Sequence, residues 1–266
     1  MNPIPLAVAD RLIDPTIVIY SAADVDAASL SHGLAGTALL HARLSAIDPR
    51  YATAAVQHWS TAATHLHDHP TDFNGIQGGR GGLAASFILG TPYLPEPNRC
   101  RPHAEQSAKW LAACATDLAD HHTMRPPESG PQWHVYDAIT GLTGIGRILL
   151  AADHNGHDVT HGLLSALHTL TDILAPRDNP RPGWWLTAEG HPPGPIVHPS
   201  GTATTGLAHG VAGPLALLAT AHLAEWTVPG QTEAIAHAAD WLLHWRHQDG
   251  TWPPAVTGTE LDTDTT

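Results

Sequence analysis

His209-Gly-Val-Ala-Gly213 is one of four glycine-led stretches in the chain, and their repetition decides the fold. The other three are His32-Gly-Leu-Ala-Gly36, Gln77-Gly-Gly-Arg-Gly-Gly-Leu83 and Thr140-Gly-Leu-Thr-Gly144. Each stretch opens an apolar run, and each run is followed by a second, amphipathic segment. Such repetition is typical of one supersecondary unit that is used several times. The pattern therefore predicts an all-α protein built from helical hairpins.

The apolar spacing predicts eight main helices in four pairs. The pairs are residues 33–46 with 51–68, 79–89 with 103–121, 141–153 with 160–175, and 210–225 with 231–247. The first helix of each pair is apolar nearly all round, as buried helices are, whereas the second has one polar face. An inner and an outer layer follow, which favours a closed α/α toroid over an open stack. We expect a single domain over residues 1–266, with a disordered tail at 255–266.

The charge balance excludes two classes of partner. The 266 residues include 12 Lys and Arg against 25 Asp and Glu, a formal net charge of −13. Proteins bind nucleic acids and anionic membranes through basic surface patches. With so few cationic residues, the sequence does not predict such a patch. The longest near-apolar stretch, Val211 to Ala221, is too short to span a bilayer, and no signal peptide is evident. We therefore expect a cytoplasmic protein that is not inserted in a membrane.

Three motifs carry a resemblance to a known family. They are Val135-Tyr-Asp-Ala-Ile-Thr-Gly-Leu-Thr-Gly144, Gly206-Leu-Ala-His-Gly-Val-Ala-Gly-Pro214 and His247-Gln-Asp-Gly-Thr-Trp-Pro-Pro254. From about Leu30 to its C-terminus, the chain resembles the lanthionine synthetase C-like family, the lanthipeptide cyclases. The resemblance implies an α/α toroid of seven helical hairpins. About four of them are present, which predicts an incomplete, C-terminally truncated toroid.

The resemblance also implies an activity and its partners. Members of this family act in lanthipeptide (lantibiotic) biosynthesis on a dehydrated precursor peptide. They add its cysteine thiols to dehydroalanine or dehydrobutyrine, which forms thioether rings. A lanthipeptide dehydratase and a transporter are further partners that the resemblance implies.

The resemblance implies a zinc ion for full-length members, and its usual ligands are absent from this chain. Those ligands are two cysteines and one histidine, from a Trp-Cys-x-Gly motif and a later Cys-His-Gly motif. The chain has neither motif, and its only cysteines, Cys100 and Cys114, stand in other contexts. We therefore assign no metal ligand and expect no cofactor in this chain.

Two catalytic positions of the family match this sequence, and each has a structural alternative. The resemblance implies that Asp137 and His209 are active-site residues, and that His209 serves in proton transfer. Imidazole suits proton transfer because its ordinary pKa lies near neutrality. Aspartate is also a favoured N-cap, so Asp137 would equally cap the helix that begins near Gly141. His32 has the same repeat position as His209, so the structural alternative is a histidine that only caps or packs the turn.

Other interpretations of the whole chain stay open. One is a non-catalytic relative that binds the peptide as a scaffold. Another is a terpene-cyclase-like α/α barrel, suggested by Gln248-Asp-Gly-Thr-Trp252 and Asp262-Thr-Asp-Thr-Thr266.

Two further features have open interpretations. Trp184 and Trp185 would line a peptide groove or pack in a core. Truncation would leave apolar helix faces uncapped near the end of the chain, which predicts self-association. The residues concerned are Val211, Leu215, Leu218, Leu242 and Trp245.

Overall fold

The computed structural model describes residues 4–22, 26–70, 75–125, 130–191 and 198–264. Helices dominate these ranges. The α-helices are α1 (Ile4–Arg11), α2 (Pro15–Ala22), α3 (Leu34–Leu44), α4 (Pro49–Asp68), α5 (Gly79–Gly90), α6 (Arg101–Thr123), α7 (Trp133–Tyr136), α8 (Leu142–His154), α9 (Thr160–Leu174), α10 (Ala212–Leu223), α11 (Gln231–His244) and α12 (Gly258–Asp264). Short 3₁₀ helices cover Thr91–Tyr93, Pro97–Arg99 and Ala188–Gly190, and two short strands are β1 (Thr202–Thr204) and β2 (Ala255–Thr257).

The eight predicted helices correspond to α3–α6 and α8–α11, with every end within three residues of its predicted position. The structure adds α1, α2, α7 and α12, which the repeat did not predict. It also differs from the predicted disordered tail, because β2 and α12 occupy residues 255–264. Val256 pairs with Ala203 of β1 and is fully buried, so burial and strand pairing order this segment. Residues 265–266 lie outside the described residues.

The chain divides into two compact units, Met1–Leu111 with Ala151–Val159, and Ala112–Leu150 with Thr160–Thr266. In the first unit, α3 packs against α4 and α5. Trp59 of α4 is 1% exposed, and its indole N–H donates to the Ser86 hydroxyl of α5 at 2.8 Å. Most of α5 is buried, as predicted for a helix that is apolar all round. The predicted single domain over residues 1–266 stays a prediction.

Two buried histidines hold the helices that precede the first repeat. His41 Nε2 donates to the Ala9 carbonyl at the end of α1, at 3.1 Å. His58 Nε2 donates to the Ile13 carbonyl at 3.2 Å, and its Nδ1 lies 2.7 Å from the Thr37 hydroxyl. Both rings are fully buried and lie 4.8 Å apart. Burial is the main cause that lowers the pKa of His58 to about 4, and the neighbouring His41 ring contributes in the same direction.

In the second unit, α9 packs against α10 and α11, and α10 packs against α11. β1 and β2 form a two-stranded antiparallel sheet, and Leu186 adds an isolated bridge to Thr202. α10 departs from the prediction for an inner helix, because Leu223 at its end is 84% exposed while Leu217 and Leu218 are buried. Within the described ranges, no helix combines the length and apolar character needed to cross a membrane.

Candidate functional site

Asp137 directly follows α7, and its side chain organises the turn that leads into α8. Its Oδ1 atom accepts backbone N–H bonds from Ile139 at 2.9 Å, Thr140 at 2.5 Å and Gly141 at 3.1 Å. The Thr140 hydroxyl donates a fourth bond to the same oxygen at 2.8 Å. Asp137 therefore holds the turn before α8 and is not the N-cap of that helix, because α8 begins five residues later at Leu142. These four hydrogen bonds all use Oδ1, so Oδ2 of Asp137 remains available for another partner.

The second oxygen of Asp137 binds His209, which lies 72 residues further along the chain. His209 follows β1 and precedes α10, and its Nδ1 atom is 2.5 Å from Asp137 Oδ2. The side chain of Asp137 is 0% exposed, whereas that of His209 is 53% exposed. The Trp133 ring packs edge-on against the imidazole, with 5.8 Å between the ring centroids. The pair thus joins a buried carboxylate to an imidazole that reaches solvent.

Backbone hydrogen bonds hold the two loops together beside this pair. The N–H of Ala138, next to Asp137, donates to the carbonyl of Ala208, next to His209, at 2.8 Å. The Thr204 hydroxyl of β1 donates to the His209 carbonyl at 2.8 Å. Because both neighbours of the pair are tied directly, the approach of the two side chains is built into the backbone.

Two glycines of the repeat allow each of the two loops to fold tightly on itself beside the pair. A Cβ atom on Gly141 would lie 2.6 Å from the Asp137 amide nitrogen and 2.7 Å from the His134 carbonyl oxygen. A Cβ atom on Gly210 would collide with the backbone of Gly206. Real Cβ atoms do not approach backbone so closely, so these positions require glycine. The glycine-led starts therefore contribute to the geometry of the site as well as to the helices.

The pairing determines which nitrogen of His209 is available for chemistry. An ionised carboxylate only accepts hydrogen bonds, so the contact with Asp137 places a proton on Nδ1. In the neutral ring, Nε2 then carries the lone pair, and in the charged ring Nε2 is a second donor. His209 can therefore take up or release a proton at Nε2 while Asp137 keeps the ring oriented.

The neighbours of the pair are held in their uncharged forms. Burial raises the pKa of Tyr136, whose side chain is fully buried, well above its ordinary value. Burial also lowers the pKa of His134, and the Arg125 guanidinium lowers it further, while the Asp137 carboxylate opposes this shift. Tyr136 and His134 are thus neutral near pH 7.

Comparison with known proteins places the chain in a family. The model of the family "Lanthionine synthetase C-like protein" matches residues 24–264. The chain belongs to this family. Among solved structures, nisin cyclase is similar, with a TM-score of 0.79 at 18% sequence identity. The match covers 99% of this chain and 64% of the nisin cyclase chain, so this chain spans less than two thirds of that length. No curated protein sequence matches the chain.

The two comparisons confirm the resemblance that the three motifs predicted. At 18% identity, the likeness to nisin cyclase concerns the fold, and it confirms the predicted class, the all-α toroid fold of helical hairpins. The lanthionine synthetase C-like match begins at residue 24. α1 and α2 therefore precede the matched region, although they belong to the same compact unit as α3.

The described residues do not supply the donor set of a zinc site. Within them, no group of three or more His, Cys, Asp or Glu side chains is placed to hold a metal ion. Cys100 is buried, and burial raises the pKa of its thiol, which disfavours the thiolate that zinc binds. Cys114 lies within α6 and is partly buried. These two thiols do not fit the zinc that the family resemblance implies.

Other residues that the sequence singled out have structural roles. His32, the repeat counterpart of His209, is exposed, and its Nδ1 lies 2.8 Å from the hydroxyl of Ser31. Trp184 and Trp185 are 0% and 6% exposed, so both pack in the core of the second unit. The repeat position alone therefore does not create the pair, because no described carboxylate binds His32 as Asp137 binds His209.

Sequence reasoning missed two contributors to the site. Trp133 contacts the His209 ring, and Thr204 binds the His209 backbone. Trp133 stands four residues before Asp137, at the start of a helix of only four residues that apolar spacing does not detect. Thr204 belongs to a three-residue strand that carries no alternating pattern. Both elements are too short to leave a periodic signal.

Proposed function

We propose that this lanthionine synthetase C-like chain acts in lanthipeptide biosynthesis by closing thioether rings. The substrate would be a precursor peptide that carries cysteine together with dehydroalanine or dehydrobutyrine. The observation that carries this proposal is the 2.5 Å contact between the buried Asp137 carboxylate and Nδ1 of the half-exposed His209. In a member of this family, the pair supplies the proton-transfer group that the addition needs.

The proposed reaction is an addition in which no atom is lost. The peptide thiol gives up its proton, and the thiolate sulfur bonds to the β-carbon of the dehydroamino acid. The electron pair of the carbon–carbon double bond moves toward the carbonyl and forms an enolate. Nε2 of protonated His209 then donates a proton to the α-carbon, which restores the carbonyl. The proton released by the thiol restores the charged imidazole, so His209 is unchanged after one turnover.

Asp137 would assist this step through the ring of His209. Its carboxylate binds Nδ1–H, orients Nε2 toward solvent and stabilises the charged ring by a hydrogen bond between oppositely charged groups. Trp133 supports the same ring orientation by its edge-on contact. Zinc in this family would activate the thiol when bound, and the described residues do not fit it. The steps above therefore use side chains of this chain alone.

The cellular setting is part of the same proposal. Precursor peptides must be dehydrated before ring closure and exported after it, so a dehydratase and a transporter are the expected partners. Ring closure between these two steps would take place in the cytoplasm. A peptide with positive charge near its cysteines would suit a chain whose formal charge is −13.

A ring-closure assay tests the proposal. The chain is incubated with a dehydrated model peptide that has one cysteine, and the remaining thiol is counted by alkylation and mass spectrometry. We expect thiol loss with the wild type, the same loss with H32A, and a rate at least about 100-fold lower with H209A. Thiol loss that is absent in the wild type, or equal in H209A, would contradict the proposed function. Peptide binding without ring closure would favour the scaffold alternative.

A further inference from the structure

A second cluster of charged side chains lies in the second unit, away from the Asp137–His209 contact. It surrounds a pocket of about 340 Å³. The lining residues are His122, Thr123, Arg125, Gly130, Pro131, Thr169, Asp172, Ile173 and Arg177. Two arginines and one histidine thus meet in one cavity of a chain that has 12 Lys and Arg in total.

Neither arginine of this pocket is neutralised by a carboxylate among the described residues. The ion pairs of the described ranges involve other cations, namely Arg50, Arg99, Lys109 and His209. Arg177 Nη2 donates a long bond of 3.4 Å to the backbone carbonyl of Asp172. The Asp172 carboxylate lines the pocket and is exposed. Two arginines and one aspartate thus line this cavity.

Among the described residues, two buried nitrogens of the pocket have no hydrogen-bond partner. They are Nε of Arg125 and Nδ1 of His122. An unpaired buried polar nitrogen costs about 1–3 kcal/mol, which a bound ligand, ion or water molecule would offset. Burial lowers the pKa of His122, and repulsion by Arg125 and then by Arg177 lowers it further. Both guanidinium groups thus act on the same ring.

From this convergence, we infer that the pocket between Arg125, Arg177 and His122 binds an oxyanion group, either a carboxylate or a phosphate. Guanidinium groups recognise both by paired N–H bonds, and an oxyanion has enough lone pairs to accept from Arg125 Nε and, in the tautomer with its proton on Nδ1, from His122 as well. The opposing carboxylate of Asp172 limits the net positive charge, which suits a single small anion. The inference does not depend on the ring-closing activity.

The pocket is connected by a short stretch of chain to the candidate functional site. Gly130 and Pro131 line the pocket, and five residues later the chain reaches Tyr136, which precedes Asp137. His134 lies between them and is influenced by Arg125 on one side and Asp137 on the other. An anion held by Arg125 would therefore lie near the segment that carries Asp137. An acidic residue of a bound peptide is one source of such a group, and free phosphate is another.

Calorimetric titration of the whole chain at low ionic strength tests this inference. The probes are inorganic phosphate, acetate, and an acetylated and amidated Gly-Glu-Gly peptide with its Gly-Gln-Gly counterpart. We expect saturable binding of at least one oxyanion and a loss of affinity of about tenfold or more in R177Q. The glutamate peptide binding better than the glutamine peptide would identify a peptide carboxylate as the source, and binding of phosphate alone would identify the free ion.

Two arginine variants show whether binding occurs at this pocket. R99Q is the matched control, because Arg99 lies in the other unit with a side chain that is 82% exposed. R177Q is the test variant because the Arg177 side chain is exposed, so its replacement should not disturb folding. Arg125 is partly buried, and R125Q would be more disruptive to the fold. Wild-type affinity in R177Q, an equal loss in R99Q, or no saturable binding of any probe by the wild type would overturn the inference.

Discussion

Asp137 and His209 meet through Oδ2 and Nδ1 at 2.5 Å, while Oδ1 of the same aspartate accepts four hydrogen bonds from the turn before α8. One carboxylate thus serves the backbone and the imidazole at the same time. The stability of the turn and the proposed proton transfer therefore depend on the same residue, and substitutions of Asp137 can separate them.

Replacing Asp137 by Asn or by Ala separates the two tasks. Asparagine keeps an oxygen for the turn, but its amide donates toward Nδ1 and so favours the opposite tautomer of His209. We expect D137N to lower the rate of ring closure by about 100-fold or more with a small change in stability. D137A removes the acceptor for the turn as well and should lower the free energy of unfolding by about 2–4 kcal/mol. Urea titrations and the thiol assay measure these effects. Equal stability of D137A and wild type would contradict this account.

The glycine that allows the close approach at Asp137 should not tolerate a side chain. In G141A, the new Cβ would meet backbone atoms at 2.6–2.7 Å, so the loop of Asp137 must shift. We expect a loss of about 1–3 kcal/mol of unfolding free energy together with slower ring closure. Gly206 provides the control, because a Cβ there has no atom within 4 Å. G206A should unfold at the urea concentration of the wild type. A similar loss in both variants would show that the contact geometry is not the cause.

Acid should destabilise the first unit before carboxylates titrate. The pKa of His58 is lowered from 6.5 to about 4 in the folded state, chiefly by burial. The unfolded chain therefore binds the proton more tightly, and stability falls as the pH drops from about 6.5 toward 4. Between pH 7.5 and pH 5, His58 alone should remove about 2 kcal/mol. Urea unfolding at these two pH values measures the loss.

A variant of His58 checks that this residue is responsible. H58Q retains an N–H donor for the Ile13 carbonyl but does not titrate in this range. The pH dependence between 7.5 and 5 should shrink by about 2 kcal/mol in H58Q, even if its stability at pH 7.5 is lower. An unchanged pH dependence would assign the acid sensitivity to other groups, of which His41 is the nearest.

Exposed leucines at the ends of α10 and α11 provide a test of the predicted self-association. Leu223 is 84% exposed and Leu243 is 61% exposed. Of the apolar residues for which the sequence predicted exposure, Val211 and Leu218 are fully buried, so they are not available for association. We expect the wild type to associate at high concentration in sedimentation velocity and the L223S/L243S double variant to do so less. M124S, at a side chain that is 82% exposed, is the control. A monomeric wild type would refute this prediction.

The helices of the repeat could be predicted from the sequence because each has several turns that are either apolar nearly all round or apolar along one face. α9 illustrates the second case, because Leu163, Leu167, Leu170 and Leu174 recur at helical spacing and are all buried. α1 and α2 were not predicted, because each has only eight residues and neither follows a glycine-led start. Short elements leave no periodic signal, whatever their importance in the fold.

The site could be predicted only in part. The family resemblance identified Asp137 and His209 from their motifs, but the hydrogen bond between them depends on a fold that joins residues 72 positions apart. The pocket around Arg125 and Arg177 has no sequence signal at all. Its residues come from the end of α6, from α9 and from the loops that follow each of them, and no local spacing relates them.

The tautomer of His209 tests the central claim most directly. In protein labelled with ¹⁵N-histidine, long-range proton–nitrogen correlation spectra at a pH where the ring is neutral distinguish a proton on Nδ1 from one on Nε2, and H209A identifies the signal. The account predicts the Nδ1–H form in the wild type and a shift toward the Nε2–H form in D137N. A wild-type ring that carries its proton on Nε2, or a spectrum that D137N leaves unchanged, would contradict it.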